Sequence, residues 1–262
     1  MYWKHMKANR IIQNVIPIIL LGLFITWYHT EHLYFSDNPS SLRLMIFYTY
    51  HDLDMLSIKY IHPLLFWLLP LFFLLYLVGD YLDRHLSISA IYTFTRTSNR
   101  GHWIFKRILT LFLNVTLYYF ILFSTSIIYG ILGGKVIRAK EDLVFIGLAF
   151  ALKVVVSFLI VLAINGGSIF FPITSVYVSI LLFHVFSLIL TGFFGEYSRE
   201  ALGIVKYFPA TLDVMNWYDS MTIANDLPID GMNIIFVSLY LVISIGIITA
   251  LILRKIKRMD IL

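Results

Sequence analysis

Long apolar runs constrain this chain more than any other feature of its sequence. The clearest is LVFIGLAFALKVVVSFLIVLAIN, Leu143 to Asn165, whose single charged residue is Lys153. A helix of roughly 20 apolar residues matches the hydrocarbon thickness of a bilayer. Across the chain, 60% of the residues are hydrophobic and only 13% are charged, whereas about a quarter of the residues are charged in a soluble domain. The chain is therefore predicted to be an integral membrane protein.

The apolar runs predict an all-α protein with six transmembrane helices and one domain, residues 1–262. A chain of 262 residues has no room for a separate soluble domain beside six helices of roughly 20 residues each. The first run follows a basic lead-in, as in a signal peptide, but no small-residue cleavage site follows it, so we interpret it as a helix. The predicted spans are residues 11–28, 62–79, 108–132, 143–165, 169–195 and 232–253.

The distribution of charge predicts that both termini are cytoplasmic. The lead-in, the loop 80–107, the NGGS turn and the tail hold 12 of the 20 Lys and Arg residues and only 3 of the 15 Asp and Glu residues. An excess of Lys and Arg on short segments marks the cytoplasmic side. The outer segments are then residues 29–61 and 196–231. Because the second contains several aromatic residues, we expect it to form short helices that cap the outer end of the bundle.

The predicted spans carry few groups that could perform chemistry. The chain has no cysteine, and no span contains paired carboxylates, HExxH, GxSxG or a nucleotide-binding Gly-rich loop. We therefore predict that the chain is not an enzyme and assign it no catalytic, cofactor-binding or metal-binding residue. Imidazole and carboxylate groups in the first outer segment suit zinc by type, but their spacing is not diagnostic, and we interpret them as loop and interfacial residues: His29, Glu31, His32, His51, Asp52 and His62.

Two ionisable residues, Lys153 and His184, lie inside predicted spans. Ionisable groups at membrane depth are costly and often functional. Lys153 is either a residue of a substrate path or bundle interior, paired with an acid or with backbone carbonyls, or a structural or snorkelling lysine. His184 is interpreted as a hydrogen-bonded residue of the bundle, with a proton relay as the alternative. Together they form the candidate intramembrane polar site.

The loop 80–107 is the only long basic interruption between two apolar runs. Its cations either dock a partner protein or only fix the topology and bind anionic lipid. The stretch YTFTRTSNRGHWIFKRILTLFLN, Tyr92 to Asn114, resembles the first cytoplasmic loop and following helix of ABC-2 type permease subunits. The similarity is to the stand-alone permeases of bacteriocin, lantibiotic or other antimicrobial-peptide export and immunity. The matching residues are Arg96, Ser98, Arg100, Trp103, Lys106 and Arg107.

This resemblance implies an ABC-2 (type V exporter-like) fold in the bacterial cell membrane. It also implies a separate nucleotide-binding ATPase subunit that carries ATP and Mg²⁺, since the chain has no Walker A sequence. A coupling helix over residues 88–100 would fit a groove of that ATPase. Further implied partners are a second permease subunit, identical or different, and membrane lipids, but no nucleic acid. The implied substrate is amphipathic: an antimicrobial peptide, a lipid or a drug.

Two alternatives remain open at this point. A non-pumping immunity or sensor protein would bind a peptide and keep its function without ATP hydrolysis in any partner. A membrane-embedded enzyme would bring several polar residues together inside the bundle. The transport interpretation instead requires an ATPase that associates with the chain.

Overall fold

A computed structural model of the protein describes residues 10–33, 41–54, 58, 61–94, 100–219 and 228–258, with the backbone alone for residues 32–33, 88–94 and Arg199. Within these ranges the chain is helical, and its only β-type pairings are two isolated bridges. Five helical stretches are long and apolar enough to cross a membrane: Ile61–Ser87, Arg100–Leu132, Lys140–Gly167, Ile173–Tyr197 and Ile234–Arg258. The prediction of a helical membrane protein is confirmed.

Ten α-helices follow one another along the described chain. They are α1 (Arg10–Gln13), α2 (Val15–Tyr28), α3 (Leu42–Tyr50), α4 (Ile61–Val78), α5 (Tyr81–Phe94), α6 (Arg100–Leu132), α7 (Lys140–Gly167), α8 (Ile173–Tyr197), α9 (Leu202–Val205) and α10 (Ile234–Arg258). A π-helical turn, His29–Leu33, continues α2. The fifth predicted span begins later than expected, since the turn after α7 extends to Pro172, which precedes the first residue of α8.

Helix α7 lies at the centre of the bundle and packs against α3, α4, α5, α6, α8 and α10. Its first turn is acidic, and the Asp142 carboxylate accepts the backbone N–H of Arg138 at 2.9 Å and of Ala139 at 3.3 Å. Negative charge at this position favours the positive end of the helix dipole. By contrast, few residues of α8 and α10 are buried, and several of their large apolar side chains are exposed, Leu182 and Val242 among them. In a membrane these surfaces face lipid or another transmembrane subunit.

The connections fall into two groups at the two ends of the bundle. At one end of the bundle, the Arg10 side chain contacts that of Asp80, and the Lys255 ammonium lies over the ring of Phe170. We call this the terminal end. At the other end, Ser41 forms an isolated bridge with Val136. We call this the opposite end. The two ends correspond to the segments that the sequence predicted to be cytoplasmic and outer.

The segment 29–61, predicted from sequence as a polar outer segment, contains a buried helix. In α3 the buried residues are Leu42, Met45, Ile46, Phe47, Thr49 and Tyr50. The helix packs against α6 and α7, and Gly130 of α6 makes this approach possible, since a Cβ there would lie 2.6 Å from the side chain of Leu42. The α3 part of the first outer segment therefore belongs to the body of the bundle.

The second outer segment also enters the bundle. Residues Ala210–Tyr218, here called the inserted segment, are all buried and contain two single-turn 3-10 helices, Thr211–Asp213 and Met215–Trp217. Irregular backbone at membrane depth is tolerated only where protein surrounds it. Short-range bonds satisfy much of this backbone, such as Val214 N–H to Thr211 C=O at 3.1 Å. The sequence predicted a cap on the outer end, and the structure shows a deeper insertion.

Candidate functional site

Lys153 lies midway along α7 and is only 3% exposed. Its ammonium group donates to a carboxylate oxygen of Asp213 and, at 3.2 Å, to the backbone carbonyl of Tyr50. The ring of Trp67 on α4 lies 4.5 Å from the ammonium, in a position for a cation–π interaction. The burial of the ammonium group rules out a snorkelling lysine. Of the partners that the sequence left open, the structure shows both an acid and a backbone carbonyl.

Asp213 comes from the inserted segment, and His51 from the end of α3. His51 is fully buried, and its Nδ1 donates to the backbone carbonyl of Asp213 at 2.9 Å while lying 3.5 Å from the carboxylate oxygen Oδ1. Burial lowers the pKa of His51 to about 4; Asp213 opposes this change and Lys153 adds to it. His51 is therefore neutral at physiological pH. We call Lys153, Asp213 and His51 the ionic core.

The ionic core keeps a pair of opposite charges out of water. The side chains of Lys153 and Asp213 are 4% and 6% exposed. Removing two ions from water costs several kcal/mol each, which only close pairing and further hydrogen bonds offset. Here the ammonium has a carboxylate, a carbonyl and an aromatic face as partners, so the pair is neutral overall and well enclosed. It joins α7, α3 and the inserted segment.

Hydroxyl groups hold the end of α3, where the backbone carbonyl of Tyr50 binds Lys153. The Tyr50 hydroxyl is 2.7 Å from the Ser126 hydroxyl, which is 2.6 Å from that of Thr26. The Tyr50 ring also stacks on Phe123, with centroids 4.3 Å apart. These contacts tie α3 to α2 and α6. The backbone carbonyl of Tyr50 is thereby held in place for Lys153.

His184, the second predicted intramembrane residue, is 4% exposed on α8. It does not contact the ionic core directly in any hydrogen bond of the described residues, but it lies within electrostatic range of Lys153, as does His29 of the π-helical turn. The Nε2 atom of His184 and both ring nitrogens of His29 are buried without a hydrogen-bond partner in the described part of the chain. Three histidines, His29, His51 and His184, thus lie within electrostatic range of one buried lysine.

A second cluster of contacts lies at the terminal end, around the turn between α4 and α5. The Asn165 side chain on α7 accepts the backbone N–H of Leu82 at 2.7 Å and donates to the carbonyl of Val78 at 3.1 Å. The Tyr177 hydroxyl of α8 donates to the carbonyl of Leu75. Since one side chain contacts both sides of the turn, α5 is attached to α7. We call this arrangement the α4–α5 joint.

Charged residues extend the joint to the start of the chain. Asp80 forms ion pairs with Arg84, at 2.8 Å, and with Arg10, at 3.4 Å. All three side chains are partly exposed, so each pair contributes little to stability. Their effect is positional, because they hold the beginning of the first apolar helix beside α5.

The predicted coupling residues are only partly within the described chain. Arg96 and Ser98 lie outside the described residues. Arg100, Trp103, Lys106 and Arg107 occupy the first turns of α6, where the Arg107 guanidinium lies 5.4 Å from the Trp103 ring centroid. The helix α6 therefore begins eight residues before the predicted third span, which starts at Ile108.

Asp213 and His51 were missed by sequence reasoning, which assigned both to outer segments. A usable signal was present for Asp213, since its neighbours in ATLDVMNW are mostly apolar. No such signal marks His51. Among the described residues, no group of three or more His, Asp or Glu side chains is arranged to hold a metal ion.

The apolar helices and the enclosed ionic core define a helical membrane protein. The chain belongs to the DUF2705 family, described as a protein of unknown function, whose family model matches residues 13–262. No curated protein and no solved structure matches the chain.

Proposed function

We propose that this protein is the membrane subunit of an ATP-binding cassette exporter of the ABC-2 type in the bacterial cell membrane. In this proposal it moves an amphipathic substrate, such as an antimicrobial peptide or a lipid, while a separate subunit binds and hydrolyses ATP. The resemblance of residues 92–114 to such permeases motivates it. The observation that carries it is the α4–α5 joint.

The proposal requires six spans with both termini on one side. Five helical stretches satisfy the length and hydropathy needed. The helical turns from Arg10 to Leu33, which include α2, would extend about 36 Å at the rise of an α-helix. This length exceeds the roughly 30 Å of the hydrocarbon core, and in this proposal α2 with its flanking turns is the sixth span.

The joint provides a physical route from a partner to the bundle. A partner that moves α5 would pull directly on α7 through Asn165 and on α1 through the Asp80 contact with Arg10. Helix α7 in turn packs against most of the bundle. A rigid-body displacement of α5 is thus passed to the central helix without any long flexible linker. Two such subunits, identical or different, would form the path between them.

The test is purification of the tagged protein in mild detergent from its native cell, followed by mass spectrometry of the associated proteins. We expect an ATPase with a Walker A sequence in roughly equal amount. Replacing the two basic loop residues, Arg96→Ala and Arg100→Ala, should reduce capture of the ATPase and leave membrane insertion intact. The matched control removes two cations at the opposite end, Arg138→Ala and Lys140→Ala, and should leave capture unchanged.

A further variant separates docking from transmission. Asn165→Leu removes the side-chain bonds to Val78 and Leu82, so we expect normal capture of the ATPase but a loss of ATP-dependent change in the protease sensitivity of the bundle. Purification of the chain without any ATPase would contradict the proposal. Loss of membrane insertion in the Arg96 and Arg100 variant would instead show that these residues fix topology.

A further inference from the structure

Two residues of the inserted segment, Asp213 and Asn216, bind polar groups at and just after the end of α3, and Asp213 also binds α7. Asp213 binds Lys153 through its carboxylate and His51 through its backbone carbonyl. The other buried side chains of the segment are mostly apolar, including Leu212, Met215 and Trp217. Because the segment has only single-turn helices, it has little internal structure that would fix it in this position. Asp213 is the charged contact that holds the segment, and the neutral hydrogen bond from Asn216 to Asp52 adds to it.

His51 lies beside Asp213 and binds its backbone. It is fully buried, and its donated hydrogen bond to the carbonyl of Asp213 keeps one ring nitrogen protonated. A second proton would create a cation in a site that already contains the ammonium of Lys153. We call the arrangement in the structure, with the inserted segment buried in the bundle, the seated arrangement, and the arrangement with the segment outside the bundle the released one. Release would remove Asp213 and let water reach the imidazole. The two arrangements thus differ in the affinity of His51 for a proton.

Ionisable and polar groups from several elements lie near His51 or near its partners Asp213 and Lys153, and the backbone of Ala149 on α7 also contacts His51. Lys153 comes from α7 and Asp213 from the inserted segment. Asp52 follows His51 in the chain and accepts from Asn216 at 2.9 Å. His29 of the π-helical turn and His184 of α8 lie within electrostatic range of Lys153. Tyr119 of α6 is within range of Asp213 and is 2.8 Å from the hydroxyl of Ser157. Among these described neighbours, Asp213 is the acid in direct contact with both His51 and Lys153.

We propose that the ionic core is a proton-responsive latch: it holds the inserted segment in the bundle at neutral pH and releases the segment when His51 takes up a proton. The ligand of the latch is the proton itself, which reaches His51 from the opposite end, where the inserted segment enters. The latch proposal is independent of the transport proposal, because it is tested by the accessibility of the inserted segment to water and not by transport.

The direction and size of the effect follow from the pKa of His51. In the seated arrangement this pKa is about 4, whereas a solvated imidazole has a pKa of about 6.5. Between these values the released arrangement binds more protons, so acid favours release and neutral pH favours the seated form. Lowering the pH from about 7.5 to about 5 should raise the ratio of released to seated protein about 30-fold.

The test uses introduced cysteines, because the chain contains none of its own. Met215→Cys places a thiol in the inserted segment at a fully buried position. Its labelling by a water-soluble maleimide is measured on the full chain in detergent at about pH 7.5 and about pH 5, on either side of the pKa of free imidazole. Labelling is normalised at each pH to Ser198→Cys, which is exposed. The normalised labelling rate is expected to rise about 30-fold at the lower pH.

Two controls make the result specific. Met45→Cys, buried in α3 at the same end, should stay unlabelled at both pH values, because release does not open α3. His51→Gln, or His51→Asn if the first variant does not fold, keeps a side-chain N–H but cannot titrate, and should remove the rise at Met215→Cys. The proposal is overturned by equal labelling of Met215→Cys at both pH values, by a parallel rise at Met45→Cys, or by an unchanged rise in the His51 variants.

Discussion

Replacing Lys153 by methionine should be among the most destabilising single changes in this protein. Methionine keeps most of the apolar stem of lysine and fills the same space beside Trp67. It removes the ammonium, however, and leaves the carboxylate of Asp213 buried without its cation. The variant therefore isolates the electrostatic role of the residue from its packing.

The expected magnitude follows from the burial of the pair. With side chains 4% and 6% exposed, the pair falls in the class in which removal of one partner costs about 3 to 5 kcal/mol. For a chain of this size each kcal/mol corresponds to roughly 2 to 4 °C in Tm, so the variant should melt about 10 °C lower. The double variant Lys153→Met with Asp213→Leu removes both charges. It should recover most of that loss, since no buried charge then lacks a partner.

The assay is thermal unfolding of the purified protein in detergent, followed by intrinsic fluorescence or by aggregation. The matched control is Arg10→Met, which breaks the Arg10–Asp80 pair, whose side chains are 42% and 33% exposed. An exposed pair contributes about 1 kcal/mol or less, so the control should shift Tm by no more than about 4 °C. If Lys153→Met and Arg10→Met gave equal shifts, or if the double variant were as unstable as the single one, the account of the ionic core would be refuted.

Two further predictions concern the α4–α5 joint and the pH dependence of stability. Gly79→Ala should lower Tm, because the new Cβ would overlap the Tyr177 hydroxyl oxygen and overpacking costs about 1 to 3 kcal/mol. The control Gly147→Ala, where nothing lies within 4 Å of the new Cβ, should be neutral or stabilising. Equal losses of Tm in the two variants would argue against a close contact at Gly79. Because the pKa of His51 is about 4 when folded and about 6.5 when solvated, its contribution to stability is fully present above pH 6.5 and is lost as the pH falls toward 4. Tm measured across that window should decrease more in the wild type than in His51→Gln, by an amount equivalent to about 3 kcal/mol, and identical pH profiles would contradict this role of His51.

The helices of this protein were predictable because their signal is local. In a bilayer the backbone must satisfy its hydrogen bonds within each spanning segment, so a run such as Leu143 to Asn165 carries the information for its own helix. The central position of α7 and the exposed faces of α8 and α10 were not predictable from the runs, which are similarly apolar. Within the described residues, five helical stretches are long and apolar enough to cross a membrane, and α2, with 14 residues, is shorter than these.

The sequence indicated only part of the candidate site. Lys153 was identified because a charge inside an apolar run is conspicuous. Asp213 was counted with the outer acids, yet it meets Lys153 across 60 residues of chain. Asn165 was interpreted as part of a turn, whereas it is buried in the last turn of α7 and binds the α4–α5 turn. The role of each residue depends on a partner distant in the sequence.

The sequence by itself determined that this chain is a helical membrane protein, where most of its helices lie, and that one lysine lies within an apolar run. Only the tertiary structure decided that both outer segments enter the bundle and that Asp213 and His51 complete the ionic core. The physical reason is that helix formation in a membrane depends on the length and hydropathy of each segment alone. The cost of burying a charge, in contrast, is offset only by a partner that the folded chain brings to it.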